Sequence, residues 1–352
     1  MGDSSEHLTS LSLCSGIGGL DLGLKRAIGA RYRTVCYVEA NPYRQRVLET
    51  RMREGLLDRG CIWDDIRTFD AGQWQGRIDL VHAGFPCPPF SVAGKRLGAD
   101  DPRNLWPEVR RTIGEIRPRV VFLENVAGLA LRNGAEPAYA WTVLADLAAL
   151  GYVGRAGIVS AIDAGALHRR DRWWCVGYSM ENTQSKRLEG RNYWAEGVAK
   201  KAKRLLSPRS GEYVDDSDIC PGRHENTARR ELQAGPQNTG GIVGNAKSAR
   251  CQDVPRRTQP SRRVEQGGIP LWPPGPQDAS AWERVLRDYP DLAPAIGGKL
   301  GVPFVEWLQG FPIGWSECEG ATRRLRLEAL GDAVVPAQAE LAWKLLGTPE
   351  GP

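Results

Sequence analysis

Several signals are missing from this chain. No apolar run approaches the roughly 18 residues of a membrane-crossing helix. The opening MGDSSEHLTS has neither the basic start nor the apolar core of a secretion signal. A cytoplasmic protein with no membrane partner is therefore expected. The eight cysteines, at positions 14, 36, 61, 87, 175, 220, 251 and 318, include no C-x-x-C pair, which argues against a zinc site and against a disulfide framework. No metal site is expected, and most of these thiols read as small buried apolar residues. Nor is there a compositional extreme: 8% aromatic, 41% apolar and 25% charged residues describe an ordinary globular protein, so disorder is not the default.

With 352 residues the chain can bury a substantial core, as one large domain or two smaller ones. The net charge of +5 is unevenly placed. Between Glu181 and Arg263 stand 17 Lys and Arg against 10 Asp and Glu, an excess of 7, so the remainder sums to −2. That stretch reads as a polyanion-binding surface or, alternatively, as a solvated basic loop.

Up to Tyr178, β-rich runs (TSLSL, TVCYVEA, IDLVHAG, RVVFLENV, RWWCVGY) alternate with helical patterns such as NPYRQRVLETRMREG and LWPEVRRTIGEI. The alternation predicts an open α/β sheet with both faces covered. From there to about Gly298 the texture becomes Gly, Pro, Asn, Ser and Arg in irregular order, which predicts a separate, loop-rich domain. Within it a weak repeat recurs: MENTQSKR at Met180, VDDSDICPGR at Val214 and VGNAKSAR at Val243. Each copy reads either as a hairpin offering an arginine to a phosphate or base edge, or as an ordinary Asx turn beside a chance arginine. Order returns from Leu300, and a last helix is expected with Pro336 near its start.

Four stretches carry chemistry. In LSLCSGIGGLDLGLKRA a strand runs into Gly16, Gly18 and Gly19 and then a helix, which lets a nucleoside-like ligand approach the backbone. Glu39 ends the next strand, where an acid can bind ribose hydroxyls. The bland reading is a tight turn with an exposed acid. In GFPCPPFS, Pro86 fixes its own φ and Pro88 restricts the residue before it, so Cys87 is held extended from both sides. It reads as a positioned nucleophile or as a buried structural thiol. VFLENVAGL delivers Glu124 and Asn125 to the same sheet edge, as a general acid or as a helix cap. HRRDR, His168 to Arg172, can anchor a phosphate and orient a carboxylate, or can form a surface ion-pair network.

Together, SGIGGLDLGL, YVEANP, DDIR, GFPCPPFS, DPRNLWPEVRR, VFLENVAGL, HRRDR, WLQGFPIGW and GDAVVP resemble the DNA (cytosine-5-)methyltransferase family, in identity and in order, from about Leu11 to Leu346. The resemblance implies a Rossmann-like, S-adenosylmethionine-dependent methyltransferase sheet with a smaller loop-rich target-recognition domain. The corresponding division is 1–178 for catalysis and cofactor, 179–298 for target recognition, and 299–352 for a segment that supports the recognition domain and returns to the catalytic one.

It further implies methyl transfer to carbon 5 of a cytosine flipped out of double-stranded DNA, through a cysteine adduct at carbon 6. By residue-wise matching, Cys87 is the nucleophile, Glu124 engages ring nitrogen 3, and Arg170 and Arg172 orient base and glutamate. Ser15, Gly16, Ile17 and Gly18 face the methionine portion of the cofactor, Glu39 the ribose, and Asp65 and Ile66 the adenine, while Leu105 and Asp332 close the pocket. Pro86, Asn125 and Val126 complete the substrate side, with Asn125 bracing the cysteine loop. A monomer of phage or restriction-modification type is implied, with a cognate endonuclease as functional rather than physical partner.

Four positions depart from the family pattern: Cys14 for an aromatic residue, Pro88 and His168 for glutamines, and Asp332 for an asparagine. None removes the nucleophile or the acid. Two other readings stand beside this one: the same chemistry on structured RNA, and a catalytically inactive DNA-binding regulator on the same fold.

Overall fold

The computed structural model describes residues 7–86, 103–131, 138–180 and 269–347, all within one compact unit. Seven strands form its sheet: β1 (Leu8–Leu13), β2 (Tyr32–Val38), β3 (Cys61–Trp63), β4 (Leu80–Gly84), β5 (Val120–Val126), β6 (Tyr152–Ser160) and β7 (Asp171–Ser179). Their order is β3-β2-β1-β4-β5-β7-β6. The first five strands are parallel, and β7 enters antiparallel between β5 and β6. The five strand-like runs of the sequence are β1, β2, β4, β5 and β7. The two additional strands lacked a signal: β3 has three residues, and β6 carries Gly154 and Gly157 with no clean alternation.

Helices α1 (Gly19–Ile28), α2 (Pro42–Arg53), α3 (Trp106–Ile116) and α4 (Tyr139–Ala149) are interleaved with the strands. Asn41 caps α2, accepting from the amides of Tyr43 and Arg44 at 2.9 and 3.2 Å, with Pro42 in the first turn. In the C-terminal part lie α5 (Ala279–Asp288), α6 (Val302–Leu308), α7 (Arg323–Asp332) and α8 (Pro336–Leu346). At the described end of 179–298 stands α5, which Asp278 caps through the amide of Ala281 at 3.0 Å. The hairpin of β8 (Ala295–Ile296) and β9 (Lys299–Leu300) follows it. The three arginine-bearing repeats lie, apart from Met180, outside the described residues. Among the described residues no helix is long and apolar enough to cross a membrane.

Both sheet faces are covered, as the alternation predicted. Along β5, Val121 and Leu123 pack with Val109, Ile113 and Val143 of α3 and α4, while Phe122 points to the opposite cluster with Leu24, Trp174 and Ala342. The last helix, whose packing its periodicity left open, lies against α1. A Cβ at Gly19 would stand 2.2 Å from the carbonyl oxygen of Val334, and one at Gly23 would stand 2.5 Å from that of Pro336. Only the absence of side chains lets the chain around α8 approach that closely.

Candidate active site

The chain leaves β1 for β2 and β3 on one side and resumes at β4 on the other. Open α/β sheets bind ligands in the crevice where strand order reverses in this way. A cleft of about 480 Å³, its open mouth included, occupies that place. The loop from Ser12 to Ile17 lines it, with Gly19, Leu20, Arg44, His82, Gly84, Glu124 and Asp332–Val334.

The loop is held from several directions. The Ser15 amide donates to Val38 O at 3.1 Å, and the Gly18 amide donates to Ser15 O at 3.0 Å. Gly18 takes φ 80°, and a Cβ there would press on Leu57 at 2.8 Å, so the turn requires glycine twice over. Ile17 is buried, and its carbonyl accepts from the indole of Trp315 at 2.7 Å. Cys14 adopts φ 51°, a left-handed conformation costing roughly 1–2 kcal/mol for a residue with a Cβ. Burial, with Glu39 nearby, pushes its thiol up to about 12. It is an inert, half-buried side chain on the edge of the core rather than a second nucleophile.

Glu39 is buried just beyond β2. Its two oxygens accept the amides of Gly16 at 2.7 Å and Asn41 at 2.9 Å. Burial raises its pKa, against the lowering effect of those two hydrogen bonds and the Arg44 charge. The amide of Gly16 is thereby tied to the acid that was expected at the ribose.

Of the other residues expected at the cofactor, Asp332 lines the cleft and pairs with Arg44, whereas Asp65, Ile66 and Leu105 do not line it. Asp65 accepts the Arg67 amide at 2.9 Å. Ile66 is a core residue whose carbonyl takes Arg111 Nη2 at 2.7 Å. Leu105 packs on that same core, and its amide donates to Pro86 O at 3.4 Å.

On the other side of the cleft the antiparallel entry of β7 sets the geometry. Its register puts Trp174 opposite Glu124 and Arg172 opposite Val126, so Arg172 and Glu124 are diagonal neighbours on one face. Arg172 Nε donates to Glu124 Oε1 at 3.0 Å. Glu124 is 7% exposed, and burial raises its pKa despite the opposing charges of Arg172 and Arg170. It is a carboxyl group shifted toward its protonated form, as a general acid needs.

Arg170 is differently engaged: Nη2 donates to the carbonyls of Gly331 and Ala333 at 2.8 and 3.0 Å. Burial, with Arg172 beside it, lowers its pKa to about 10. It fastens the 331–333 turn to the start of β7. Burial and the same two arginines lower the pKa of His168. Among the described residues both of its ring nitrogens are buried without a hydrogen bond.

Asn125 is buried and donates from Nδ2 to Phe85 O at 2.7 Å, while its Oδ1 accepts the Val126 amide at 2.9 Å. The backbone two residues before Cys87 is thus tied to β5. Pro86 is exposed. Cys87 and Pro88 lie outside the described residues.

Several residues were not anticipated. His82 and Ser12 line the cleft floor and join a buried cluster on α1 and β2. Ser12 Oγ and Thr34 Oγ1 donate to Asp21 at 3.0 and 2.9 Å, and His82 Nε2 lies 2.9 Å from Tyr32 OH and 3.3 Å from Asp21. Their period-2 spacing on strands was the available signal, but apolar neighbours masked it. Arg44 and Trp315 reach the site from α2 and from a distant turn, and nothing local marks them.

Residues 8–266 match the family described as C-5 cytosine-specific DNA methylase. Type II methyltransferase M.NgoMIV of Neisseria gonorrhoeae is 38% identical over 177 residues, covering 50% of this chain and 54% of the relative. The chain thus spans about half the length of that relative. Type II methyltransferase M.NaeI of Lentzea aerocolonigenes is 28% identical over 345 residues, 96% of this chain and 74% of the relative. A solved structure of Entamoeba histolytica methyltransferase EhMeth shares the fold with TM-score 0.52 at 15% identity, covering 96% of this chain and 97% of that one.

Proposed function

The chain belongs to the C-5 cytosine-specific DNA methylase family, and from that membership we propose that it is a sequence-specific DNA cytosine-5 methyltransferase. The observation that carries the reading is the buried Glu124–Arg172 pair at the cleft, whose carboxyl group is shifted toward its protonated form.

Cytosine carbon 5 is a poor nucleophile until a group adds to carbon 6. In our reading Cys87 adds there as thiolate, and Glu124, oriented by Arg172, places a proton at ring nitrogen 3 so that the electrons pushed into the ring are stabilised. Once carbon 5 carries the methyl group, loss of its proton to a base expels Cys87 as thiolate, and the proton on ring nitrogen 3 returns to Glu124. Asn125 would position the cysteine through Phe85, and Arg170 would hold the 331–333 turn against the site.

The cleft suits S-adenosylmethionine. A Cβ built at Gly16 meets no atom within 4 Å, and the amino end of α1, which no side chain caps, opens toward the cleft through Gly19 and Leu20. Bound there, the group would supply one electrophilic methyl. Ser15, Gly16, Ile17 and Asp332 line the cleft and would hold it, Gly18 would shape the loop from behind, and Glu39, Asp65, Ile66 and Leu105 would be reached only by a ligand extending beyond the cleft. Residues 179–298, with their basic excess, would read the DNA, and the monomer would protect DNA from a cognate endonuclease that it need not touch.

The test is bisulfite sequencing of DNA from a host without cytosine methylation that expresses the protein, beside Cys87→Ser. Protected cytosines within one repeated motif, absent in the Cys87→Ser host, are the expected result. No protection despite folded protein would overturn it, and label transferred to transfer RNA instead would move the chemistry to RNA.

A further inference from the structure

Arg44 and Asp332 lie 288 positions apart and meet at the cleft, where Arg44 Nη2 donates to Asp332 Oδ2. Each is misplaced for its own helix. Arg44 stands in the first turn of α2, where the positive end of the helix dipole repels a cation, and Asp332 is the last residue of α7, where the negative end repels an anion. The pair also adds little to folding, because the Asp332 side chain is 64% exposed. Neither residue serves its helix, and both line the cleft.

Arg44 is moreover the one arginine or lysine among the described residues lining that cleft. A ligand ending in an α-amino acid brings a carboxylate and an ammonium on the same carbon. A contacting arginine and aspartate present the opposite charges side by side. Exchange of partners replaces one weak, solvated ion pair by two, one of them an arginine–carboxylate contact capable of bidentate geometry.

We propose that Arg44 and Asp332 form a zwitterion clamp for the amino-acid end of the cofactor, Arg44 taking its carboxylate and Asp332 its ammonium. The inference rests on the cofactor assignment above, and it adds Arg44 to the binding residues. It also gives the aspartate that stands in place of the family's asparagine a reason: the extra negative charge is balanced by Arg44.

The experiment is calorimetric titration of the full chain with three nucleosides: S-adenosylhomocysteine, its decarboxylated analogue, and methylthioadenosine, which lacks the tail. Arg44→Gln is expected to weaken the first at least tenfold and to leave the other two unchanged. Asp332→Asn should weaken the first two and spare the third. Arg44→Lys, retaining charge without the fork, should fall between wild type and Arg44→Gln, and it keeps the test available should the glutamine variant not fold. Equal weakening of all three by Arg44→Gln, or no change, would overturn the clamp while leaving the cofactor assignment standing. Failure of the wild type to bind any of the three would overturn both.

Discussion

The indole nitrogen of Trp315 and the carbonyl oxygen of Ile17 share a 2.7 Å hydrogen bond across 298 residues of sequence, deep in the interior. Trp315 is itself held in place: its neighbours Gly314 and Ser316 donate their amides to buried Glu306 at 2.7 and 2.8 Å. The C-terminal turn therefore sets the peptide plane of the glycine-rich loop. Trp315→Phe keeps an aromatic ring but removes the donor and leaves a void beside Phe311, so the stranded carbonyl alone costs about 1–3 kcal/mol and the lost packing adds to it. Denaturant unfolding should show that loss at unchanged m value, with a matching drop in S-adenosylhomocysteine affinity.

Gly19→Ala should be more damaging than its single methyl suggests. The new carbon would stand 2.2 Å from Val334 O, so α1 and the chain leading into α8 must separate. Overpacking of this kind costs about 1–3 kcal/mol. Gly16→Ala, with no atom within 4 Å, should cost only the strain of φ 59°. Thermal unfolding of the two variants side by side checks the order.

Glu124 links stability to pH. Its folded pKa is raised by burial, so the folded state holds the proton more tightly than the unfolded chain does. The stability that this proton contributes is fully present below the ordinary carboxylate range and is lost as pH rises through the folded value. Glu124→Gln mimics the protonated form. It should match wild type in melting temperature below the ordinary carboxylate range and exceed it increasingly as pH rises from there through the folded value, while single-turnover methyl transfer falls by about 10²–10³.

Asn125→Ala removes the donor to Phe85 O, two residues ahead of Cys87. Leaving that carbonyl unpaired should cost about 1–3 kcal/mol. The more telling readout is covalent trapping on 5-fluorocytosine DNA, which should slow even at temperatures where the variant is fully folded.

Much of this architecture was legible locally. The β-rich runs around Leu11, Val81 and Phe122 and the Asn41–Pro42 start of α2 depend on near neighbours in the chain, and all formed as read. What escaped was β3 and β6, short or weakly patterned, and the helices α5, α6 and α7, of which α5 went unread although its apolar and polar residues segregate onto opposite faces. Glu39 and Glu124 were recognisable because a carboxylate at the end of an apolar strand stands out against its surroundings. Arg44 was not, because a cation on an amphipathic helix looks like any solvated surface charge.

The chain by itself determined the alternation of strand and helix, the glycines that permit the loop at Gly18, and the acids delivered to strand ends. Periodicity, steric freedom and capping act over a few residues, and these features need nothing more. Tertiary structure alone decided that β7 runs antiparallel and so lays Arg172 against Glu124, that Trp315 pins Ile17, and that Arg44 meets Asp332. Those contacts depend on the register and packing of elements far apart in sequence, and no local pattern of residues encodes such a distance.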